Sequence, residues 1–323
     1  MKTQRISAVA LALSALHVLP ASVTAQSLAE YSSPLTSQSL TASSAHLMGQ
    51  NRGWMIYKPW MSMDVPVAWR QGFQGYGANI TVVDGFKTGR LYTGNLQGFT
   101  QKLHHGGFTA LQAIMIAPGS MLHTVDVTQQ TRVRLHSGLN VINLSYGMFE
   151  DIYANPASWG PLEASIGSHA IKGGAVVVKA AGNSAIHMGG VAAAGKDHLN
   201  TLLRNTPSAI FVGALNTNGS TQRPATLANY SNMAGNDAAY QKQFLVVGVD
   251  KAQTGLGGTS FAAPIVSGYA AIVGSKFTRA TPTQITNQLL NTARQDTVAN
   301  YSREVHGRGE ASLSRALAPT AIR

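Results

Sequence analysis

One stretch near the C-terminal end decides the fold: Gly258-Thr259-Ser260-Phe261-Ala262-Ala263-Pro264-Ile265-Val266-Ser267-Gly268. A flexible Gly-Gly-Thr turn leads into a single serine, and the apolar, Ala-rich residues that follow predict a helix starting immediately after it. The N-terminus of a helix carries unpaired backbone N–H groups, which favour negative charge. The pattern therefore holds the Ser260 hydroxyl at a place suited to an oxyanion, as nucleophilic acyl transfer requires.

A helix cap is the simplest interpretation of Gly-Thr-Ser, because Ser and Thr are preferred residues at that position. The full run G-T-S-x-A-A-P-x-V-x-G is far more specific. It resembles the nucleophile segment of the subtilisin-like serine proteases, the subtilases. The resemblance implies that Ser260 is a nucleophile, and it requires an acid and a base elsewhere in the chain.

The N-terminal region has the pattern of an exported protein. Residues 1–25 combine a basic start, a mostly apolar middle and a cleavage site ending at Ala25, which together predict a signal peptide. Residues 26–53, rich in Ser, Ala, Thr and Gln, are predicted to be a flexible extension, and residues 54–323 a single catalytic domain. No later stretch approaches the ~20 apolar residues of a membrane helix. We therefore expect a secreted or periplasmic protein without a membrane span.

Composition excludes several kinds of site. The 323 residues carry a formal net charge of +11, but only 11% of them are charged. The basic residues are scattered, so we predict no nucleic-acid partner. The absence of cysteine excludes a thiol nucleophile and a Cys-zinc site. With 13 acidic residues and no Asp/Asn-dense loop, we predict no metal site and no cofactor. Composition leaves the oligomeric state open.

Apolar runs of strand length alternate with helical patterns along the chain. A helix is predicted from Phe108 to Ile116. Strands are predicted at residues 80–83, 121–127, 141–145, 175–178, 209–214 and 244–247. This alternation predicts an α/β fold with a doubly wound, mainly parallel sheet flanked by helices on both faces.

Two polar residues stand where catalytic groups gather in such sheets, at strand ends and helix starts. Asp84 directly follows the apolar run 80–83, and His105 stands in His104-His105-Gly106-Gly107, just before the predicted helix. An Asx turn at Asp84 and a surface pair of histidines are the alternative interpretations. His105 is the better candidate base, because the glycines that allow close approach follow it directly.

An oxyanion donor is the third element of this chemistry. Asn183 ends the segment Ala180-Ala181-Gly182-Asn183, which follows the run 175–178. Its neutral amide can hold a developing negative charge without titrating, although a Gly-Asn turn has the same pattern. The residues occur in the order Asp…His…Ser, which is the order of subtilisin. The G-x-S-x-G elbow of the α/β-hydrolases is missing, because Ala262 replaces its second glycine.

The resemblance to the subtilases extends to all these segments and implies a subtilisin-like fold. It implies that Ser260 attacks the scissile carbonyl, that His105 is the general base, and that Asp84 orients His105. It also implies that Asn183 contributes to the oxyanion hole. The residues implied to line the substrate cleft are Ser145, Tyr146, Gly147, Ala180, Ala181 and Gly182. We therefore predict an exported serine endopeptidase that hydrolyses protein or peptide substrates through an acyl-enzyme.

Two departures from the family pattern carry expectations of their own, and so does the distribution of acidic residues. Gly85 follows the acid where the family usually has a hydroxylated residue, so looser support of Asp84 is expected. The interval from Thr128 to Asn140 has room for one helix and a turn but not for a substrate-pairing edge strand, which predicts a more open cleft. No acidic residue lies within 145–147 or between Ala180 and Gly195, which argues against a preference for Lys or Arg.

Two other functions remain open from the sequence. The altered surroundings of Asp84 and His105 are compatible with a catalytically impaired binding protein on a subtilase fold. The same three residues also serve an esterase or an amide synthase.

Overall fold

The computed structural model of the protein describes residues 56–150 and 159–322. The predicted signal peptide (residues 1–25) and the predicted extension (residues 26–53) lie outside the described residues. Among the residues that are described, no helix is both long and apolar enough to cross a membrane.

The regular elements follow the predicted alternation. The strands are β1 (Ala78–Asp84), β2 (Leu91–Gly94), β3 (Gln101–His104), β4 (Met121–Asp126), β5 (Leu139–Leu144), β6 (Phe149–Glu150), β7 (Val176–Ala180), β8 (Val191–Ala192), β9 (Gly195–Asp197), β10 (Ala209–Leu215) and β11 (Phe244–Gly248). The helices are α1 (Asp64–Arg70), α2 (His105–Ile116), α3 (Pro161–Ile171), α4 (His198–Leu203), α5 (Ala238–Gln243), α6 (Lys251–Thr254), α7 (Ala263–Lys276), α8 (Pro282–Asn291), α9 (Arg303–His306) and α10 (Leu313–Leu317). A 3₁₀ turn covers Thr259–Phe261.

The main sheet consists of six parallel strands in the order β11-β10-β7-β5-β1-β4. From β1 the chain passes through α2 to the edge strand β4, and then returns to β5 on the other side of β1. The strand order therefore reverses at β1. In open α/β sheets, ligands bind outside the carboxyl ends of the strands at such a reversal. Asp84 is the last residue of β1 and thus lies at this point.

Each face of the sheet has its own hydrophobic core, as alternation along a strand requires. In β1, Ile80 and Val82 pack into the core that holds α2 and α7, whereas Val83 packs into the core that holds α3, α4 and α5. Helix α7 is buried along nearly its whole length, because it lies across the middle of the sheet and contacts four of its strands. The predicted doubly wound α/β fold is confirmed.

Two local details differ from the sequence-based expectation. The predicted helix at Phe108–Ile116 begins earlier, at His105, so the histidine and its glycines form the first turn of α2. Residues 127–138 contain neither a helix nor a strand. Side chains take backbone N–H groups that a helix would use: Val133 N donates to Ser165 Oγ at 2.9 Å, and His136 N donates to Asn140 Oδ1 at 2.8 Å.

A buried carboxyl near the C-terminal end predicts a pH-dependent stability. Burial raises the pKa of Glu310 from its usual 4.5 to about 7, while its Oε1 accepts a 2.9 Å hydrogen bond from Gly219 N. Between these pH values the folded protein keeps a proton that the unfolded chain has released, so raising the pH destabilises the fold. We expect the free energy of unfolding to fall by up to about 3 kcal/mol as the pH rises from about 4.5 to about 7.

Urea denaturation across this pH range checks the expectation. Glu310→Gln keeps the acceptor for Gly219 N and removes the titration, so its free energy of unfolding should change less with pH. Equal slopes for the wild type and Glu310→Gln would show that Glu310 does not carry the effect.

Candidate active site

An acid and an imidazole meet where β1 ends and α2 begins. His105 Nδ1 lies 2.9 Å from both Oδ1 and Oδ2 of Asp84. Both side chains are buried, Asp84 completely. This contact directs Nδ1 of His105 to the acid and leaves Nε2 for other partners, so the carboxylate fixes the orientation of the ring.

The Asp84 carboxylate has two further donors. Gly85 N donates to Oδ1 at 2.7 Å, and the Thr109 hydroxyl shares its proton between Oδ2 at 3.2 Å and Gly106 O at 3.1 Å. Thr109 lies four residues after His105 and therefore on the same face of α2. The expected loss of hydroxyl support at position 85 is thus offset by a hydroxyl from the helix. The sequence signal for Thr109 was its i+4 spacing from His105.

The neighbouring histidine takes no part in this contact. His104 ends β3, and its Nδ1 is buried without a hydrogen-bond partner among the described residues. The His105 ring instead packs between two aromatic rings, with centroids 5.4 Å from Tyr92 and 5.3 Å from Phe261. Because Phe261 follows Ser260 directly, this packing places His105 beside the serine turn.

The serine lies in the turn that precedes α7. Gly258 has φ +130°, a conformation that side-chain-bearing residues rarely adopt, and the 3₁₀ turn Thr259–Phe261 follows it before α7 begins at Ala263. The predicted helix therefore starts three residues after Ser260 rather than directly after it. Ser260 Oγ and His105 Nε2 are both buried, and neither has a hydrogen-bond partner among the described residues. Catalytic hydrogen bonds of ligand-free sites often form fully only with substrate.

Asn183 is tied to the same turn. Its Oδ1 accepts hydrogen bonds from Thr259 N at 2.8 Å and from the Thr259 hydroxyl at 3.0 Å. A Cβ built on Gly258 would stand 3.2 Å from Asn183 Nδ2 and 3.2 Å from Ser260 Oγ. The amide nitrogen and the serine oxygen therefore flank the same glycine, and the fixed amide oxygen sets the direction of the donor.

A chain of buried hydrogen bonds connects the 3₁₀ turn at Ser260 to strand β5. Ser145 Oγ donates to Ser260 O at 2.8 Å, Asn143 Nδ2 donates to Ser145 Oγ at 2.9 Å, and Ser267 Oγ donates to Asn143 Oδ1 at 3.1 Å. These bonds connect the carboxyl end of β5 to both ends of the serine segment. The sequence gives no signal for the bond between Asn143 and Ser267, because the two residues lie 124 positions apart along the chain.

A small cavity of about 10 Å³ adjoins the segment that precedes Asn183. Two of the predicted cleft residues, Ala181 and Gly182, line it, together with Phe149, Asp197 and Asn200. The other predicted cleft residues are buried and are not among its lining residues: Ser145, Tyr146, Gly147 and Ala180. No group of three or more potential metal-ligating side chains occurs in the described parts of the chain.

Comparison with known families gives one match. The model of the subtilase family matches residues 91–309, which is more than half of the chain. The match includes His105, Asn183 and Ser260 and begins seven residues after Asp84. No curated protein matches the chain.

Solved structures with the same fold are proteases. The prenylagaramide maturation protease PagA is 21% identical and has a TM-score of 0.53; the alignment covers 79% of this chain and 98% of PagA. MycP1 from the ESX-1 type VII secretion system is 19% identical with a TM-score of 0.53, covering 81% of this chain and 86% of MycP1. MycP3 from the ESX-3 system is 19% identical with a TM-score of 0.50, covering 81% and 89%. At these identities, the similarity shows the fold.

Proposed function

This chain belongs to the subtilase family of serine endopeptidases, and from that premise we propose that it cleaves peptide bonds through an Asp84–His105–Ser260 triad and a covalent acyl-enzyme. The observation that carries the proposal is the contact of His105 Nδ1 with both carboxylate oxygens of Asp84. The ring so fixed lies against Phe261, next to Ser260.

In the first half of the reaction, His105 Nε2 takes the proton of Ser260 Oγ as the oxygen attacks the scissile carbonyl. Asp84 keeps the ring oriented and stabilises the imidazolium that forms. The imidazolium then gives its proton to the leaving amine, and the C–N bond breaks. In the second half, His105 takes a proton from water, the water oxygen attacks the acyl-enzyme, and the proton returns to Ser260.

The proposal assigns two donors to the negative charge that develops on the attacked oxygen. Asn183 Nδ2 is directed by the bonds that Thr259 makes to the amide oxygen, and the Ser260 backbone N–H lies in the middle of the 3₁₀ turn Thr259–Phe261. Preorganised donors of this kind stabilise the transition state more than the ground state. Thr259 also accepts a 3.0 Å hydrogen bond from Gly182 N, so it fixes Asn183 and the cleft wall together.

Substrates are proteins or peptides, and the site of action is outside the cytoplasm. Support for export comes from the signal-peptide pattern of residues 1–25. The irregular segment 127–138 supports a cleft with little backbone pairing to substrate on that side.

Three substrates test the proposal against its alternatives: casein, a set of unstructured peptides, and a p-nitrophenyl ester, each with purified protein lacking residues 1–25. The proposal expects cleavage of casein and peptides. Ester hydrolysis without cleavage of any peptide would show an esterase. A folded protein that neither cleaves these substrates nor reacts with a fluorophosphonate would be the impaired binding protein.

Thr109→Val should weaken catalysis through Asp84. The substitution removes the hydroxyl that donates to Asp84 Oδ2 at 3.2 Å but keeps the shape of the side chain. A hydrogen bond to a charged group contributes about 1.5–3 kcal/mol, so we expect kcat/KM to fall about 10- to 100-fold. Thr109→Ser keeps the donor and should stay within about threefold of the wild type. Equal kcat/KM for the Val and Ser variants, both folded, would show that the hydroxyl does not support the acid.

A further inference from the structure

The Ser260 carbonyl depends on a side chain for its hydrogen bond. In a continuing helix its donor would be the N–H four positions on, but that residue is Pro264, which has no N–H. Ser145 Oγ donates to Ser260 O instead, at 2.8 Å. Ser145 and Ser260 are completely buried, so this bond decides whether the carbonyl is satisfied.

A second bond fixes the direction in which the Ser145 hydroxyl donates. Asn143 Nδ2 donates to Ser145 Oγ at 2.9 Å. Because the amide nitrogen is a donor, it occupies the acceptor side of the hydroxyl and leaves the single hydroxyl proton for Ser260 O. If the Asn143 amide were turned over, its oxygen would compete for that proton.

Ser267 determines which way the Asn143 amide faces. Its Oγ shares one proton between Asn143 Oδ1 at 3.1 Å and Ala263 O at 3.0 Å. The amide oxygen therefore points to α7 and the amide nitrogen to Ser145. Asn143 and Ser267 are completely buried as well. The donors thus run in one direction, from α7 through β5 to the Ser260 carbonyl, and hydrogen bonds in such a chain strengthen one another.

These bonds hold the serine turn on its second side. On the first side, Thr259 N and the Thr259 hydroxyl donate to Asn183 Oδ1 at 2.8 and 3.0 Å. Asn183 follows β7 and Ser145 follows β5, and the two strands are neighbours in the main sheet. The turn is therefore tied to two adjacent strands, one before Ser260 and one at its carbonyl. A reacting group displaced by about 1 Å can lose about 10²-fold in rate, so this double attachment bears on catalysis.

We propose that Asn143 and Ser267 position Ser260 for attack, by keeping the Ser145 hydroxyl on the Ser260 carbonyl. The inference rests on the proposed function, in which Ser260 is the nucleophile. Both residues act through Ser145, so they are positioning residues and not catalytic ones. Their loss misplaces the attacking oxygen and leaves the substrate contacts in place, so kcat falls and KM changes little.

Ser267→Ala tests the first link of the chain, with a fluorogenic peptide and a fluorophosphonate. We expect kcat and the labelling rate to fall about tenfold, with KM within about threefold of the wild type. Ser208→Ala is the matched control. Ser208 is also completely buried and donates to a carbonyl, Ala170 O at 3.0 Å, but it precedes β10 and lies at the opposite end of the sheet. It should lose similar stability and keep kcat within about twofold.

A double-variant cycle shows whether Ser267 acts through Ser145. Ser145→Ala removes the bond to the carbonyl itself, so it should lower kcat at least as much as Ser267→Ala. If the effect of Ser267 passes through Ser145, the double variant should have the kcat of Ser145→Ala alone. Two losses that multiply would show independent roles and would overturn the inference.

Circular dichroism establishes which variants are folded. A folded Ser267→Ala with the kcat of Ser208→Ala overturns the inference, and so does a higher KM with unchanged kcat. If Ser267→Ala does not fold, Ser267→Cys fills the same space with a weaker donor and should show the same fall in kcat; unchanged kcat there also overturns it. A wild type that neither cleaves peptides nor reacts with the fluorophosphonate would instead refute the proposed function.

Discussion

Ser260→Ala is expected to lower kcat for casein-derived peptides by about 10⁶-fold, the loss that removal of the nucleophile causes in subtilisin, a member of the same family. The substitution removes Oγ, the atom that the proposal places in the covalent bond to the acyl group. The residue is fully buried in the turn before α7, so an alanine of smaller size fits without displacing its neighbours. The rate is measured with a fluorogenic peptide at saturating concentration.

A matched serine on α7 provides the control. Ser275 Oγ donates to Ile272 O at 2.7 Å, within its own helix and far along it from the turn. Ser275→Ala should keep kcat within about twofold of the wild type, because Ser275 lies outside the proposed site. A substitution away from buried contacts changes the free energy of unfolding by about 0.5 kcal/mol or less, so the variant should stay folded. Retained cleavage by folded Ser260→Ala would assign the nucleophile to another residue.

His105→Ala should have an effect of similar size, again about 10⁶-fold in kcat. The proposal makes this ring the group that moves the proton in both halves of the reaction, and the ring contacts both Asp84 and Phe261 of the serine turn. Asp84 keeps two donors in this variant, Gly85 N and Thr109 Oγ1, so the carboxylate is not left without hydrogen bonds.

His104→Ala is the matched control, because it removes the same kind of side chain from the preceding residue. His104 has no contact with Asp84 in the structure, so we expect its kcat to stay within about tenfold of the wild type. The opposite outcome, an inactive His104→Ala with an active His105→Ala, would assign the base to His104 and contradict the proposal. Circular dichroism confirms that both variants are folded.

The strands could be predicted because their signal is local. Buried parallel strands appear as short apolar runs, and each predicted run corresponds to a strand of the main sheet. The strand predicted at residues 175–178 ends too early, because the charged Lys179 interrupts the apolar pattern. In the structure β7 continues to Ala180, because Asp197 pairs with Lys179 and makes its burial tolerable. From the sequence, only the Lys179 charge inside the apolar strand could be seen. Its partner, Asp197, lies 18 residues away along the chain.

The candidate site residues could be predicted where they stand in short, contiguous sequence motifs, but the residues that support them could not. Asp84, His105, Asn183 and Ser260 stand in short recognisable segments, and the structure brings all four to the carboxyl ends of the strands around β1 and β7. Their supports come from elsewhere in the chain. The hydroxyl for Asp84 comes from α2, and the bonds that hold the serine turn start from β5. Such contacts depend on how helices and strands pack, which spacing along the sequence does not specify.

The irregular segment 127–138 shows a second limit. Its length suggested a helix, but the side chains of Ser165 and Asn140 accept its backbone N–H groups. Side chains that compete for backbone hydrogen bonds override weak local propensity. One of these two acceptors lies on α3, more than thirty residues away, and was not visible as a partner from the sequence.

Mapping a fluorophosphonate adduct on the wild-type protein tests most directly whether His105 and Asp84 activate Ser260. The reagent reacts with serine hydroxyls that a neighbouring base activates, and mass spectrometry of the digested protein locates the modified residue. We expect a single adduct, on Ser260, and no adduct on folded His105→Ala. An adduct on another residue, or a folded wild type that stays unmodified, would contradict the triad.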